Sequence, residues 1–204
     1  MKLYYLPNAC SMADHIVLEW IGQPYDTEKV ARDALKSPEY LRLNPSGAVP
    51  TLVDGDWALT ENVAILNYLA DRFPEAGLGG DGTPRGRAEI NRWLGFINSD
   101  VHKAFVPLFK AAYFIDDESQ HDALKAKARS TIRTLLKRID DHLSGRDWLA
   151  NDRRSIADPY LYVILRWAEK QAIDLSGLDR LAAFRQRMDS DAGVRAVLDA
   201  EGLG

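Results

Sequence analysis

The segment PEAGLGGDGTP, residues 74–84, divides this chain into two stretches that follow different rules. It holds four glycines and two prolines and offers almost nothing to bury, which is the composition of a linker. Ahead of it, short strand-like and helical stretches alternate; beyond it, only helical periodicity remains. The expected fold is therefore an α/β N-terminal domain with a mixed four-stranded sheet over residues 1–76. A linker at 77–84 and an all-α domain over 85–204 follow. With 204 residues, both parts have the length to build a core.

Within the first part, KLYY reads as a strand. After Pro7-Asn8, the residues Ala13, Ile16, Val17, Trp20 and Ile21 repeat with the spacing of a helix face that ends at Gly22. Tyr25 to Val30 supplies a second strand, and the resulting βαβ unit is expected to be right-handed. A short helix is expected at 38–43. VPTLV and WAL, joined by Asp54-Gly55-Asp56, carry a strong hairpin signal. Ile65, Leu66, Leu69 and Phe73 then mark another helix. In the second part, Ile90, Trp93, Leu94, Ile97, Val101, Phe105 and Leu108 form what reads as one long seam. Helical patterns follow at 119–144, 155–172, 178–189 and 192–201.

The formal net charge is −4, and Lys and Arg are scattered rather than clustered, so neither nucleic acid nor an anionic membrane is an expected partner. No apolar run approaches the roughly 18 residues of a membrane span, and MKLYYLPNAC lacks the apolar stretch of a signal peptide. A cytoplasmic location is expected. The single cysteine cannot form an internal disulfide and leaves one thiol for chemistry. No second cysteine and no His pair at i, i+4 offers a metal site, so none is expected.

That thiol, Cys10, stands just outside the first helix. If Ser11 caps the helix and Asp14 closes an S-x-x-D box, the free N–H groups and the helix dipole favour a thiolate and lower its pKa. The competing reading is a small buried apolar residue. Gly47-Ala48-Val49-Pro50 opens a strand, either as an ordinary proline start or as a cis turn that exposes the Val49 backbone to an extended ligand. At Thr60-Glu61-Asn62 the alternatives are a capped helix and a site where the N–H groups take a carboxylate while Glu61 takes an ammonium group. Gly95, Ser99 and His102, at i, i+4 and i+7, flank the long seam as a polar stripe, solvated or lining a cleft. Ser155 to Asp158 is a second S-x-x-D box, read as structural.

Taken in order, KLYY-x-P-x-ACS, NP-x-G-x-VPTL at 44–52, LTEN-x-AI-x-x-YLA at 59–70 and SIADPYL at 155–161 resemble the glutathione S-transferase family over nearly the whole chain. The cysteine points to its bacterial beta class, and the resemblance implies a thioredoxin-like N-terminal domain that holds glutathione and a helical C-terminal domain that completes a hydrophobic substrate pocket. The resemblance implies glutathione as co-substrate, held by Cys10, Lys36, Val49, Pro50, Glu61, Asn62, Ser99 and His102. Cys10 would face the glutathione sulfur, and the Val49 backbone, ahead of a cis Pro50, would pair with its cysteinyl part. Glu61 and Asn62 would meet the γ-glutamyl end, and Lys36 or its competitor Arg32 the glycyl carboxylate. Tyr5, Phe105, Phe109, Tyr113 and Trp167 are candidate walls for a small hydrophobic electrophile, or for a disulfide or peroxide.

A homodimer is implied by the resemblance alone. Asn62, Ala48 and Gly95 depart from the family pattern, where serine, a longer polar side chain and asparagine are usual. The expected activity is conjugation of glutathione, with thiol–disulfide reductase or peroxidase activity through Cys10 beside it. The alternatives are a non-catalytic regulatory or binding protein on the same fold, and a glutathione-dependent isomerase or dehalogenase.

Overall fold

The structure, a computed structural model, describes residues 1–204. Strands β1 (Lys2–Tyr5), β2 (Asp26–Lys29), β3 (Thr51–Asp54) and β4 (Trp57–Thr60) form one sheet in the order β2-β1-β3-β4. β1 runs parallel to β2, with Leu3 opposite Thr27, and antiparallel to β3, with Leu3 opposite Leu52. The mixed sheet is thus the expected one. β2 reads DTEK and is exposed along its whole length, a charged edge that discourages pairing with another chain. Gly55 turns the β3–β4 hairpin at φ 63°.

Helices α1 (Ser11–Ile21), α2 (Pro38–Leu43) and α3 (Asn62–Arg72) complete this half. Ser37 caps α2 by accepting from the Tyr40 N–H at 3.2 Å, with Pro38 at the first helical position. Gly22 closes α1 in the left-handed conformation. The one-faced reading of α1 understates its burial. Every residue from Ser11 to Leu18 is buried, because α1 packs not only on the sheet and α3 but also on two C-terminal helices.

The helical half comprises α4 (Pro84–Phe96), a π-helical turn (Ile97–His102), α5 (Val106–Phe109), α6 (His121–His142), α7 (Ala157–Lys170), α8 (Asp179–Ser190) and α9 (Ala192–Ala200). The single seam expected through Leu108 is broken. The chain leaves α4 through the wide π turn, and Pro107, which lacks an N–H and crowds the preceding turn, ends that run and sits instead in the first turn of the short α5.

The Ser155–Asp158 box forms as expected. Asp158 accepts from the Ser155 N–H at 2.7 Å, while Ser155 Oγ accepts from the Ala157 N–H at 3.3 Å. One correction concerns the linker. Leu78 is buried in the shared core and its carbonyl accepts from the Ile156 N–H at 3.1 Å, so this segment is pinned to the start of α7.

Candidate active site

The turn between β1 and α1 is held from the far end of the chain. Asn8, at φ 58°, donates its N–H to Glu201 at 2.9 Å. Its carbonyl accepts from the Trp167 indole at 2.8 Å, and its side-chain oxygen accepts from Arg166 at 3.2 Å. Glu201, itself buried, also meets His15 Nδ1 at 3.2 Å. A tight turn with an asparagine in the left-handed region is thereby fixed by α7 and by the residue that ends α9. Nothing local in the sequence signals this clamp, since its partners lie more than 150 residues away.

Cys10 follows this turn at the N-cap position of α1, without capping the helix through its side chain. The expected Ser11–Asp14 box is absent. Ser11 Oγ instead exchanges hydrogen bonds with the N–H and carbonyl of Leu6, both at 3.3 Å. Asp14 is buried against Asn62, whose amide nitrogen, turned inward, donates to Asp14 at 2.8 Å and to the Cys10 carbonyl at 3.2 Å.

The expectation of an ionised thiol is corrected as well. Cys10 is half-buried as a residue, but the packing around its sulfur is dense. That desolvation, with the Asp14 carboxyl second and Glu61 a minor contributor, pushes the thiol up to about 12. The N–H groups of Cys10 and Ser11 pull the other way and do not prevail. Burial also raises the Asp14 carboxyl well above the usual carboxylate range.

Opposite Cys10 stands the 44–50 loop. Tyr40 Oη and Asn44 Nδ2 both donate to the Ala48 carbonyl, at 2.7 and 2.8 Å, and Asn44 also reaches Thr51 Oγ1 at 3.1 Å. The Val49–Pro50 peptide is cis. Gly47, at φ 58°, has no room for a side chain, since a Cβ would lie 2.6 Å from both the Leu35 carbonyl and Lys36 Nζ. Glu61, at the turn from β4 into α3, has φ 72° and ψ 113°, a strained backbone for a non-glycine residue. Neither Glu61 nor Thr60 caps α3 through its side chain, so the first N–H groups of this helix keep no side-chain partner.

The helical half contributes His102. Its Nδ1 lies 2.6 Å from the Tyr160 hydroxyl, which donates to Asn98 Oδ1 at 3.0 Å. An amide oxygen only accepts, so the tyrosyl proton goes to Asn98 and His102 Nδ1 donates to the phenolic oxygen. Nε2 then carries the lone pair. Burial, with Lys103 adding to it, lowers the imidazole to about 4, so the ring is neutral at pH 7.

These parts enclose two cavities that meet at Cys10, Ala48, Val49 and His102. The smaller, 260 Å³, is further lined by Glu61, Asn62, Asn98 and Tyr160. The larger, 690 Å³, has an apolar wall that includes Leu35, Leu108, Phe109 and Trp167.

The sequence of residues 9–72 matches the family model of the glutathione S-transferase N-terminal domain, and residues 96–191 match that of the C-terminal domain. Glutathione S-transferase GST-4.5 of Xanthomonas campestris pv. campestris is 56% identical, and the match covers 100% of both chains. The chain belongs to the glutathione S-transferase family. A glutathione S-transferase structure from Xylella fastidiosa superposes with a TM-score of 0.97 at 52% identity, covering 100% of this chain and 99% of that one. Two sphingomonad glutathione S-transferase structures, one described as bacterial beta class (Sphingomonas chungbukensis) and one as complexed with glutathione, each give a TM-score of 0.88 at 39% identity over 100% of both chains.

Of the residues that resemblance to the glutathione S-transferases singled out, Cys10, Val49, Pro50, Glu61, Asn62 and His102 line the smaller cavity, and Phe109 and Trp167 the larger. Others lie elsewhere. Ser99 lines neither cavity and spends its hydroxyl on the Gly95 carbonyl at 2.8 Å and on Asp100 at 2.6 Å. Lys36 donates to the Ser46 carbonyl at 2.8 Å, while Arg32 faces the larger cavity. Tyr5 and Phe105 are core residues, and Tyr113, 81% exposed, stands outside. Asn98 and Tyr160 were missed. Asn98, four residues before His102, was recoverable from helical spacing; Tyr160 was hidden within a motif read as a cap.

Proposed function

We propose that this enzyme binds glutathione along the smaller cavity and bonds its thiolate sulfur to a small hydrophobic electrophile held in the larger one, whose leaving group departs as the thioether forms. The observation that carries the reading is the meeting of the two cavities at Cys10 and His102. The γ-glutamyl end lies at Glu61 and at the free N–H groups that open α3, where a carboxylate and an ammonium group each find the opposite charge. The cysteinyl part pairs with the Val49 backbone, and Arg32 meets the glycyl carboxylate. Neutral His102, with its lone pair on Nε2, accepts a hydrogen bond from the thiol and orients it, and the proton leaves to solvent. The protonated Cys10 sulfur and the N–H groups at the tip of α1 stabilise the thiolate left behind.

The lone thiol in the same groove supports a second activity. Cys10, deprotonated, attacks the glutathionyl sulfur of a disulfide between glutathione and a small thiol, which leaves as its thiolate; a second glutathione thiolate then attacks the Cys10–glutathione disulfide, so that glutathione disulfide leaves and Cys10 regains its proton. We further propose that the protein is a cytoplasmic homodimer; light scattering on the purified protein tests the dimer.

Titration calorimetry with glutathione, followed by turnover of chlorodinitrobenzene, tests the main reading. Binding in the millimolar range or tighter, with conjugation above the uncatalysed rate, is expected. No heat at millimolar glutathione removes it. Cys10→Ala separates the two activities: conjugation persists at reduced rate, whereas disulfide reduction disappears.

A further inference from the structure

The larger cavity has a charge imbalance that the chain as a whole does not share. The protein is acidic, with a net charge of −4, yet every charged side chain lining this 690 Å³ space outside His102 is a cation: Arg32, Lys110 and Lys170. No aspartate or glutamate lines it. Two carboxylates adjoin these cations in sequence and both are turned elsewhere: Glu169 meets Arg185 at 3.2 Å, and Asp33 accepts from the Ala34 N–H at 2.9 Å. All three cations are exposed, and none enters an ion pair or a side-chain hydrogen bond, although the structure holds twelve ion pairs elsewhere. An apolar trough built for neutral molecules gains nothing from unpaired cations at its edge, whereas an anion entering it is attracted by all three.

One negative charge is already assigned, since the glycyl carboxylate of glutathione lies on the Arg32 side with Gly47 and Ala48. Lys110 and Lys170 belong to the opposite, helical wall. Lys110 directly follows Phe109 at the end of α5, and Lys170 ends α7 three residues beyond Trp167. The Phe109 and Trp167 rings meet edge to face at 5.6 Å, so the two ammonium groups follow, in the chain, the two aromatic rings that form the apolar surface.

We propose that the second substrate is an anionic aromatic electrophile, its ring against Phe109 and Trp167 and its carboxylate, or a group of like charge, held by Lys110 and Lys170. This rests on the reading of the protein as a glutathione-conjugating enzyme.

The test compares, by titration calorimetry, three ligands: glutathione, its para-carboxy-ortho-nitrophenyl thioether, and the matching thioether with a neutral carboxamide in place of the carboxylate. The carboxylate is expected to bind about tenfold tighter than the amide, the effect of two partly screened ion pairs. This ratio should shrink in about 0.5 M salt and fall to about one in the K110Q/K170Q double variant. Equal binding of the two thioethers by the wild-type protein, or a ratio that survives the double substitution, overturns the proposal. A ratio lost in R32Q but kept in K110Q/K170Q overturns the assignment to the helical wall. Failure of glutathione itself to bind overturns the underlying reading instead, and the two failures are told apart by the first titration. The salt dependence in the wild-type protein needs no variant to fold.

Discussion

The Cys10 sulfur lies 3.6 Å from the carbonyl oxygen of Val49 and donates to it across the mouth of the groove, a long contact that a stronger acceptor in the groove can replace. This contact joins the start of α1 to the loop before β3. The thiol at this helix N-terminus escapes ionisation because burial and the carboxyls of Asp14 and Glu61 outweigh the N–H groups of Cys10 and Ser11.

Alkylation of the free protein follows from this. With the thiol raised to about 12, its reaction with iodoacetamide should climb about tenfold per pH unit from pH 8 to beyond pH 10. A rate that levels off below pH 9 would show a thiolate that the packing does not allow.

His102 makes stability pH-dependent with a definite sign. Its folded value of about 4 lies below the ordinary 6.5, so between these values the unfolded chain binds a proton that the native protein refuses. This contribution to stability therefore rises with pH across that window and is complete above it. Urea unfolding at pH 4.5 and 7.5 should show a smaller difference for His102→Gln than for the wild-type protein. Tyr160→Phe, which leaves Asn98 Oδ1 and His102 Nδ1 without their shared partner, should cost about 1–3 kcal/mol and leave the tautomer of His102 unspecified.

Asp158 accepts from the Leu149 N–H at 3.0 Å, from the Ser155 N–H at 2.7 Å and from Ser155 Oγ at 3.0 Å, all in the core. Asp158→Ala strands these donors and should cost about 2–4 kcal/mol, read as a loss of roughly 4–16 °C in Tm. Burial raises its carboxyl to about 6, above the usual 3.8, so the native state holds a proton that the unfolded state has lost. Stability from this residue falls as pH rises from about 4 to about 6, opposite in sign to the effect of His102. A wild-type and Asp158→Asn pair compared across that range would expose it.

Gly47→Ala places a methyl group 2.6 Å from the Leu35 carbonyl and from Lys36 Nζ, at a φ of 58°. A loss of at least about 1 kcal/mol is expected from the backbone conformation alone. The displaced loop should also raise the KM for glutathione several-fold. An unchanged KM would show that the loop and Lys36 yield without disturbing Val49.

Local sequence determined much of this protein. Apolar alternation, the Asp54-Gly55 turn and the helical spacings are short-range signals, and they placed the four strands, the first three helices and the helical second half. Motifs ordered along the chain placed Cys10, Val49, Glu61 and His102, which the fold brings to one cavity. Tertiary structure alone decided what these groups are. The protonation of Cys10 depends on desolvation and on Asp14, and the tautomer of His102 on Asn98 and on Tyr160 from α7. The turn carrying Cys10 depends on Glu201, near the other end of the chain. Periodicity reports which face of a segment is buried; proton affinity depends on the field of every group packed around an atom, and most of those groups are distant in sequence.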